Sequence, residues 1–100
     1  MDQLALETAI IEKLSKVLDP ETGVDVIRMK LVEDIVIDES GKASYTFRPS
    51  SPLCPIAVPL AMMIIEAINK VDGISGQSVT VVDYIEADKL NEMLRSVLQS

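Results

Sequence analysis

The run from Ile56 to Val71 constrains the fold more than any other segment, because it is apolar on nearly every side. Its only charged or amide side chains are Glu66, Asn69 and Lys70. A helix of this composition is predicted to be buried nearly all round, with Met62 and Met63 filling the core. A chain of 100 residues has few elements to cover it. We therefore expect a second copy, in a homodimer, or a partner protein to cover one side.

Pro59 leaves two predictions for the start of this helix. A proline one turn inside a helix removes a backbone donor. Either the helix begins at Pro55 with an irregular first turn, or the regular helix begins near Pro59, with that proline at its first position.

The rest of the chain predicts an α+β fold. The patterns predict a helix from Asp2 to Leu18, a strand or bulged strand from Val24 to Asp38, a hairpin turn at 39–42, a partner strand from Ala43 to Arg48, a third strand from Ser78 to Tyr84 and a closing helix at about 86–99. The order is α-β-β-α-β-α, which favours two layers, with helices packed on a three-stranded sheet. We expect one domain spanning 1–100, with the closing helix as an appended element.

Composition excludes several classes of function. Nine basic against sixteen acidic side chains give a net charge of −7, which disfavours nucleic acid and anionic membranes as partners. The chain has one cysteine and no histidine, so it offers no zinc constellation and no intrachain disulfide. No signal-peptide pattern is evident at the start, and the longest apolar stretch is too short to span a membrane. These features predict a soluble cytoplasmic protein.

Cys54 is the residue best placed for chemistry. It lies between the second predicted strand and the apolar helix, next to Pro55, which suits a first helical turn. Backbone N–H groups at a helix start stabilise a thiolate, the form that attacks electrophiles and binds metals. The alternative is a buried structural cysteine, since free cysteine is often a small core residue. Position alone does not decide between the two.

Four other side chains are candidates for supporting roles. Asp19 and Glu21 could orient a metal or a partner, but Asp-Pro-Glu is also an ordinary helix-terminating turn, and the residues alone favour that interpretation. Ser50 and Ser51 could donate hydrogen bonds to a thiolate or a sulfide. Capping of the following helix is an equally good interpretation of both serines.

The order of these motifs resembles the iron–sulfur cluster assembly domain family. An amphipathic helix precedes Asp19-Pro20-Glu21, a hairpin precedes Cys54-Pro55, and Asp72-Gly73-Ile74 leads into a Val-rich strand. The resemblance covers roughly Ile10 to Asp83, and the family includes metal–sulfur cluster biosynthetic proteins and relatives of the SufT and PaaD proteins. Members usually carry a threonine where this chain has Ser50. Many have a tryptophan after the last strand, whereas this chain has none, which leaves the subfamily and client open.

The resemblance implies a role in assembling iron–sulfur clusters or delivering them to client apoproteins, with Cys54 touching iron or sulfide. Asp19, Glu21, Ser50, Ser51 and Pro55 would support it. A cluster needs about four ligands, so one cysteine implies a transient cluster or iron shared with other assembly proteins. We expect no enzymatic turnover. The alternatives are a non-catalytic interaction module with a structural cysteine and, less favoured, a thiol enzyme or redox sensor.

Overall fold

Three helices and three strands follow one another in the order α-β-β-α-β-α, which confirms the predicted α+β class. The structure, a computed structural model, describes residues 3–20, 22–51, 53 and 56–99. The elements are α1 (Gln3–Leu14), β1 (Val32–Ile37), β2 (Lys42–Phe47), α2 (Ala57–Asn69), β3 (Gly76–Val81) and α3 (Ala87–Gln99). Among the described residues, no helix combines the length and apolar character that a membrane span requires.

The sheet has the strand order β1-β2-β3. β1 and β2 form the predicted antiparallel hairpin, whereas β2 and β3 run parallel, with Tyr45 opposite Val79. A parallel pair needs a crossover connection, which here contains α2. Central strand β2 buries Ala43, Tyr45 and Phe47 on its inner face. Its outer face carries polar side chains, so the helices cover one face only.

The first helix ends at Leu14, four residues before its predicted end. Beyond it, the amide of Val17 donates to the carbonyl of Leu14 at 3.0 Å, the shorter spacing of a tightening last turn. Leu18 instead pairs with Asp25 in an isolated antiparallel bridge. The apolar period continues past the helix because Val17 is still buried, although the backbone has already left the helix to enter the next turn.

The predicted strand from Val24 to Asp38 is wrong over its first half. The amide of Met29 donates to the carbonyl of Asp25 at 3.1 Å, and the Asp25 carboxylate accepts from the amide of Arg28 at 2.8 Å. A single helical turn, with Asp25 in the position of an N-cap, therefore stands where the first half of the strand was predicted. The strand itself begins only at β1. The predicted bulge is confirmed, since Asp34 has a φ of 54° and the register shifts there.

Helix α2 begins at Ala57, between the two predicted starts. Its first i to i−4 hydrogen bond joins the amide of Leu60 to the carbonyl of Ile56 at 2.9 Å. Pro59 is therefore the third residue of the helix, where the amide has no intrahelical partner to lose. The proline fits the first turn without breaking it.

Within this chain α2 is buried on one side only, and the side that was expected to need a second copy or a partner is exposed. Val58, Met62 and Met63 are 40%, 38% and 41% exposed, so the two methionines do not fill the core. The buried residues of α2 lie on one side only: Ala57, Leu60, Ala61, Ile64, Ile65 and Ile68. A single sheet layer with one neighbouring helix covers that side and leaves the other uncovered.

Helix α3 closes the free edge of β3. The amide of Val81 donates to Oδ1 of Asn91 at 2.7 Å, and Nδ2 of Asn91 donates to the carbonyl of Val81 at 3.1 Å. One side chain thus satisfies both backbone groups of an edge residue, as a neighbouring strand would. β3 ends there, three residues before the predicted end at Tyr84. Leu90 and Leu94 add buried apolar contact from α3.

A buried hydrogen-bond network joins the sheet to α2. The hydroxyl of Tyr45 donates to Oε1 of Gln77 at 2.8 Å, and Nε2 of Gln77 donates to the carbonyl of Ile65 at 3.0 Å and to Oδ1 of Asn69 at 2.7 Å. Burial raises the pKa of Tyr45 above its usual value. The folded state therefore keeps this proton at a pH where the unfolded chain releases it.

We expect Tyr45→Phe to lower the free energy of unfolding at pH 7 by about 1–3 kcal/mol, because Oε1 of Gln77 loses its buried donor. The raised pKa of Tyr45 contributes to the free energy of unfolding. This contribution is fully present below the tyrosine pKa of the unfolded chain, about 10, and is lost as the pH rises above that value. Urea unfolding at pH 7, 9 and 11 measures the difference in free energy of unfolding between the wild type and Tyr45→Phe. We expect this difference to shrink at pH 11. Tyr84→Phe, at a half-buried position, is the control. A difference at pH 11 as large as the difference at pH 7 would contradict the raised pKa of Tyr45.

Candidate functional site

The candidate site lies at the end of β2, where the chain leaves the sheet for α2. Cys54 and Pro55 belong to this connection, but both lie outside the described residues, as does Glu21. Their predicted roles stay predictions. The structure describes the surroundings of the connection, namely the two serines before the cysteine, the turn that carries Asp19, and the ends of the neighbouring strands.

Backbone hydrogen bonds anchor the start of the connection on both sides. The amide of Arg48 donates to the carbonyl of Leu31 at 2.7 Å, and the amide of Val82 donates to the carbonyl of Phe47 at 3.1 Å. Pro49 is buried directly after them. The chain is therefore held by the sheet up to Pro49 and reaches the surface at Ser50.

Both serines are exposed, and neither caps α2. The Oγ of Ser51 accepts a hydrogen bond from the amide of Leu53 at 3.2 Å, which shapes a local turn. The N-cap position of α2 is Ile56, and no side chain caps it. Capping of the helix is therefore not the role of Ser50 or Ser51. The hydroxyl hydrogen of Ser51 is not used in accepting this bond.

Asp19 is almost fully buried, with 1% of its surface exposed. Its amide donates to the carbonyl of Val24 at 2.9 Å, and its carbonyl accepts from the amide of Gly23 at 2.7 Å. Asp19 thus begins a turn, as predicted, but this turn does not end the helix, because α1 already ends at Leu14. The burial was not predicted, because aspartate is rarely buried and a turn is ordinarily solvated.

A relay of backbone hydrogen bonds brings the Asp19 turn to the same end of the molecule as the serines. The amide of Val26 donates to the carbonyl of Val17 at 3.0 Å, and that of Leu31 donates to the carbonyl of Val26 at 2.9 Å. Leu31 in turn accepts from Arg48, the residue before Pro49. Three successive backbone hydrogen bonds therefore link two segments that are about thirty positions apart in sequence.

Arg48 forms two salt bridges at this end of the molecule that the sequence did not predict. Its Nε lies 3.0 Å from Oδ2 of Asp83, and its Nη1 lies 3.5 Å from Oε1 of Glu33. The pairs link β1, β2 and the segment after β3, which are far apart in sequence, so no local pattern signals them. All three side chains are partly exposed, so these salt bridges help to position the three segments more than they stabilise the fold.

Part of α2 next to the connection is apolar and uncovered. Val58, Met62 and Met63, called here the α2 apolar surface, are each about 40% exposed. A cavity of about 110 Å³ opens beside Val58 and is lined by Val58, Tyr84, Glu86, Lys89, Leu90 and Met93. Among the described residues, no three acidic or other metal-binding side chains are grouped to hold a metal ion.

The chain belongs to the family described as iron–sulfur cluster assembly proteins, whose sequence profile matches residues 7–81. This confirms the resemblance. The match spans the Asp19 turn, the hairpin, the connection with Cys54 and β3, and α3 follows it.

Similar proteins carry the same association. The Fe–S protein maturation auxiliary factor YitW of Bacillus subtilis is 38% identical over 66 residues, which are 66% of this chain and 61% of that protein. The chloroplastic Fe–S cluster assembly factor HCF101 of Arabidopsis thaliana is 31% identical over 51 residues, 50% of this chain and 10% of that one. An uncharacterized protein of Methanocaldococcus jannaschii is 28% identical over 86% of this chain and 90% of its own. Family and relatives together support a role in iron–sulfur cluster assembly or maturation.

Solved structures agree on the fold. A domain of unknown function, DUF59, from Bacillus anthracis superposes with a TM-score of 0.74 at 28% identity, over 97% of this chain and 94% of that one. A conserved hypothetical protein from Thermotoga maritima gives a TM-score of 0.66 at 26% identity, over 94% of both chains. The likeness extends over nearly the whole chain.

Proposed function

We propose that this chain is an accessory factor that helps to assemble iron–sulfur clusters or deliver them to client apoproteins, acting through protein contacts and the thiol of Cys54. The observation that carries the proposal is the family match over residues 7–81, which includes Cys54 and the Asp19 turn. The proposed setting is the cytoplasm, and the proposed partners are other iron–sulfur assembly proteins and clients. We propose no catalytic turnover.

In this proposal the cluster, or iron alone, is cargo. One thiolate supplies one of about four ligands that an iron–sulfur cluster takes, and the partner supplies the others. Such sharing suits transfer, because a cargo held by one ligand on this chain leaves readily when the client offers more. Ser50 and Ser51 are exposed and lie four and three residues before Cys54, and we propose that their hydroxyls donate hydrogen bonds to the thiolate or sulfide. Asp19, Glu21 and Pro55 are proposed to shape this connection.

The accessory role predicts faster loading of a client in a defined system. An anaerobic mixture of a cluster-loaded scaffold protein and an apo [4Fe–4S] dehydratase should regain dehydratase activity faster when the folded chain is added. Glutathione at the same thiol concentration, without the chain, is the control for simple thiol effects. If the folded chain gives no increase over this control with any of several scaffolds and clients, the accessory role is contradicted.

A second candidate function is an interaction module with a structural cysteine, which the α2 apolar surface favours. Exposed apolar side chains grouped on one helix are typical of a surface that another protein covers, and a homodimer is one form of it. In the same loading assay, a Met62→Lys, Met63→Lys variant would then abolish the effect of the chain. An unmodified effect in Cys54→Ala would separate this function from the first.

A further inference from the structure

The edge of the sheet formed by β3 carries a groove whose polar side chains the proposed function does not use. It has a volume of about 270 Å³ and lies at the edge of β3, between the start of that strand and α3. Its lining consists of Lys42, Gly76, Gln77, Ser78, Val79, Arg95 and Leu98. No carboxylate is in this set. In a chain with 16 acidic and only 9 basic side chains, a groove that gathers two of the cations and no acid is a distinct electrostatic feature.

The two cations come from different elements and converge on one strand. Lys42 begins β2, Arg95 lies on α3, and both line the groove together with the exposed Ser78 of β3. The stem of Lys42 runs along Gly76, because a Cβ built at Gly76 would meet Cγ of Lys42 at 3.9 Å and no nearer atom. Glycine at this position leaves the floor of the groove open.

Neither cation is neutralised by the described part of the chain. The ion pairs found there join Arg48 to Glu33 and Asp83, and Lys70 to Glu66. Asp88 and Glu92 line the adjoining groove, of about 510 Å³, which shares Ser78 and Arg95. Asp88 and Glu92 therefore lie near Arg95 in the adjoining groove, and neither of them lines the groove that holds Lys42.

We propose that this groove binds the oxyanion of a small molecule, a phosphoryl or carboxylate group, between Lys42 and Arg95. Arg95 provides the planar pair of donors that matches two oxygens of such a group. Lys42 adds a second positive charge, and the Ser78 hydroxyl adds a neutral donor. The volume leaves room for several atoms besides the oxyanion, so the ligand class is a phosphate ester or a polycarboxylate.

Amide NMR titrations of the full chain with inorganic phosphate and with citrate, at constant ionic strength set with sodium chloride, test the proposal. We expect saturable shifts at Lys42, Gly76 and Ser78. A stronger response to phosphate would identify a phosphoryl ligand, and a stronger response to citrate a carboxylate ligand. Arg95→Gln should weaken binding about tenfold, since it removes a charge-assisted hydrogen-bond donor. Lys13→Gln, an exposed cation on α1, should leave binding unchanged.

Gly76→Leu separates shape from charge. It keeps both cations, and the only near neighbour of its Cβ is the flexible stem of Lys42, so the fold should tolerate it. The new side chain fills the groove, and binding should be lost. Thermal unfolding reports whether each variant is folded. Shifts that do not saturate, that sodium chloride alone reproduces, or that persist in both Arg95→Gln and Gly76→Leu would overturn the proposal.

Discussion

Replacing Gly41 with alanine is expected to lower the free energy of unfolding by about 3–5 kcal/mol. Gly41 has a φ of 91°, a conformation that a side chain disfavours. An alanine Cβ there would also lie 2.5 Å from the backbone oxygen of Gly73. The second effect is the larger, because a backbone atom cannot rotate away as the end of a side chain can.

The contact matters because Gly41 joins two parts of the fold. It ends the hairpin turn between β1 and β2, where Oδ1 of Asp38 accepts hydrogen bonds from the hydroxyl of Ser40 and the amide of Lys42, at 2.7 and 2.9 Å. These bonds lower the pKa of Asp38. The carbonyl of Gly41 also accepts from the amide of Ser75 at 3.0 Å, just before β3. Forcing the two turns apart would disturb the start of the parallel β2–β3 pair.

Gly23→Ala is the matched control for the Gly41 prediction. Gly23 has a similar φ of 71°, but a Cβ there would meet no atom within 4 Å. Its substitution should cost only the backbone strain, about 1–2 kcal/mol. Urea unfolding of both variants measures the difference between their free energies of unfolding. The same curves check that the free energy depends on urea concentration with the same slope in both variants. Equal losses of stability would mean that the turns accommodate the Cβ and that the Gly73 contact is unimportant.

Local patterns predicted the elements of this fold better than their pairing and surroundings. The Ile56–Val71 run identified α2, and the bulge in β1 followed from a broken alternation. The exposure of Met62 and Met63 could not be predicted, because composition shows how apolar a helix is and not how many neighbours cover it. The segment from Val24 to Leu31 was misassigned for a related reason. Its β-branched residues favour strand, yet the Asp25 cap and backbone bonds to the Asp19 turn favour a helical turn.

The candidate site was predictable where one residue carries the chemistry and unpredictable where distant segments meet. Cys54 stood out as the only thiol before a predicted helix. The burial of Asp19 and the backbone hydrogen bonds of Val26 and Leu31 belong to the tertiary structure, and no local pattern indicates them. Arg48 contacts Glu33 and Asp83, at separations of 15 and 35 positions, and no periodicity relates such residues.

Cys54→Ala is expected to reduce client loading more than about tenfold, to the level seen without the chain. Cys54 is the only cysteine of the chain, so its thiolate would be the only thiolate ligand that the chain contributes to iron, and even outer-shell changes at metal sites cost roughly 10–100-fold. Cys54→Ser should be as inactive, because a hydroxyl remains protonated at neutral pH and binds iron poorly. The rate at which the scaffold activates the apo client, with each variant at equal concentration, measures the loss.

In the same loading assay, Ser51→Ala tests the supporting role of Ser51 apart from the proposed iron ligand, the thiolate of Cys54. It removes the acceptor for the amide of Leu53 and a candidate donor to the thiolate, but it leaves the thiol in place. We therefore expect partial loading, between wild type and Cys54→Ala. Alkylation of Cys54 across pH, in the folded and unfolded chain, locates the cause. An inflection below the free-thiol value of about 8.5 in the folded wild type, moved upward by Ser51→Ala, indicates a thiolate held by hydrogen bonds. Full loading by Cys54→Ala would instead contradict the thiol mechanism and make the α2 apolar surface the source of the activity.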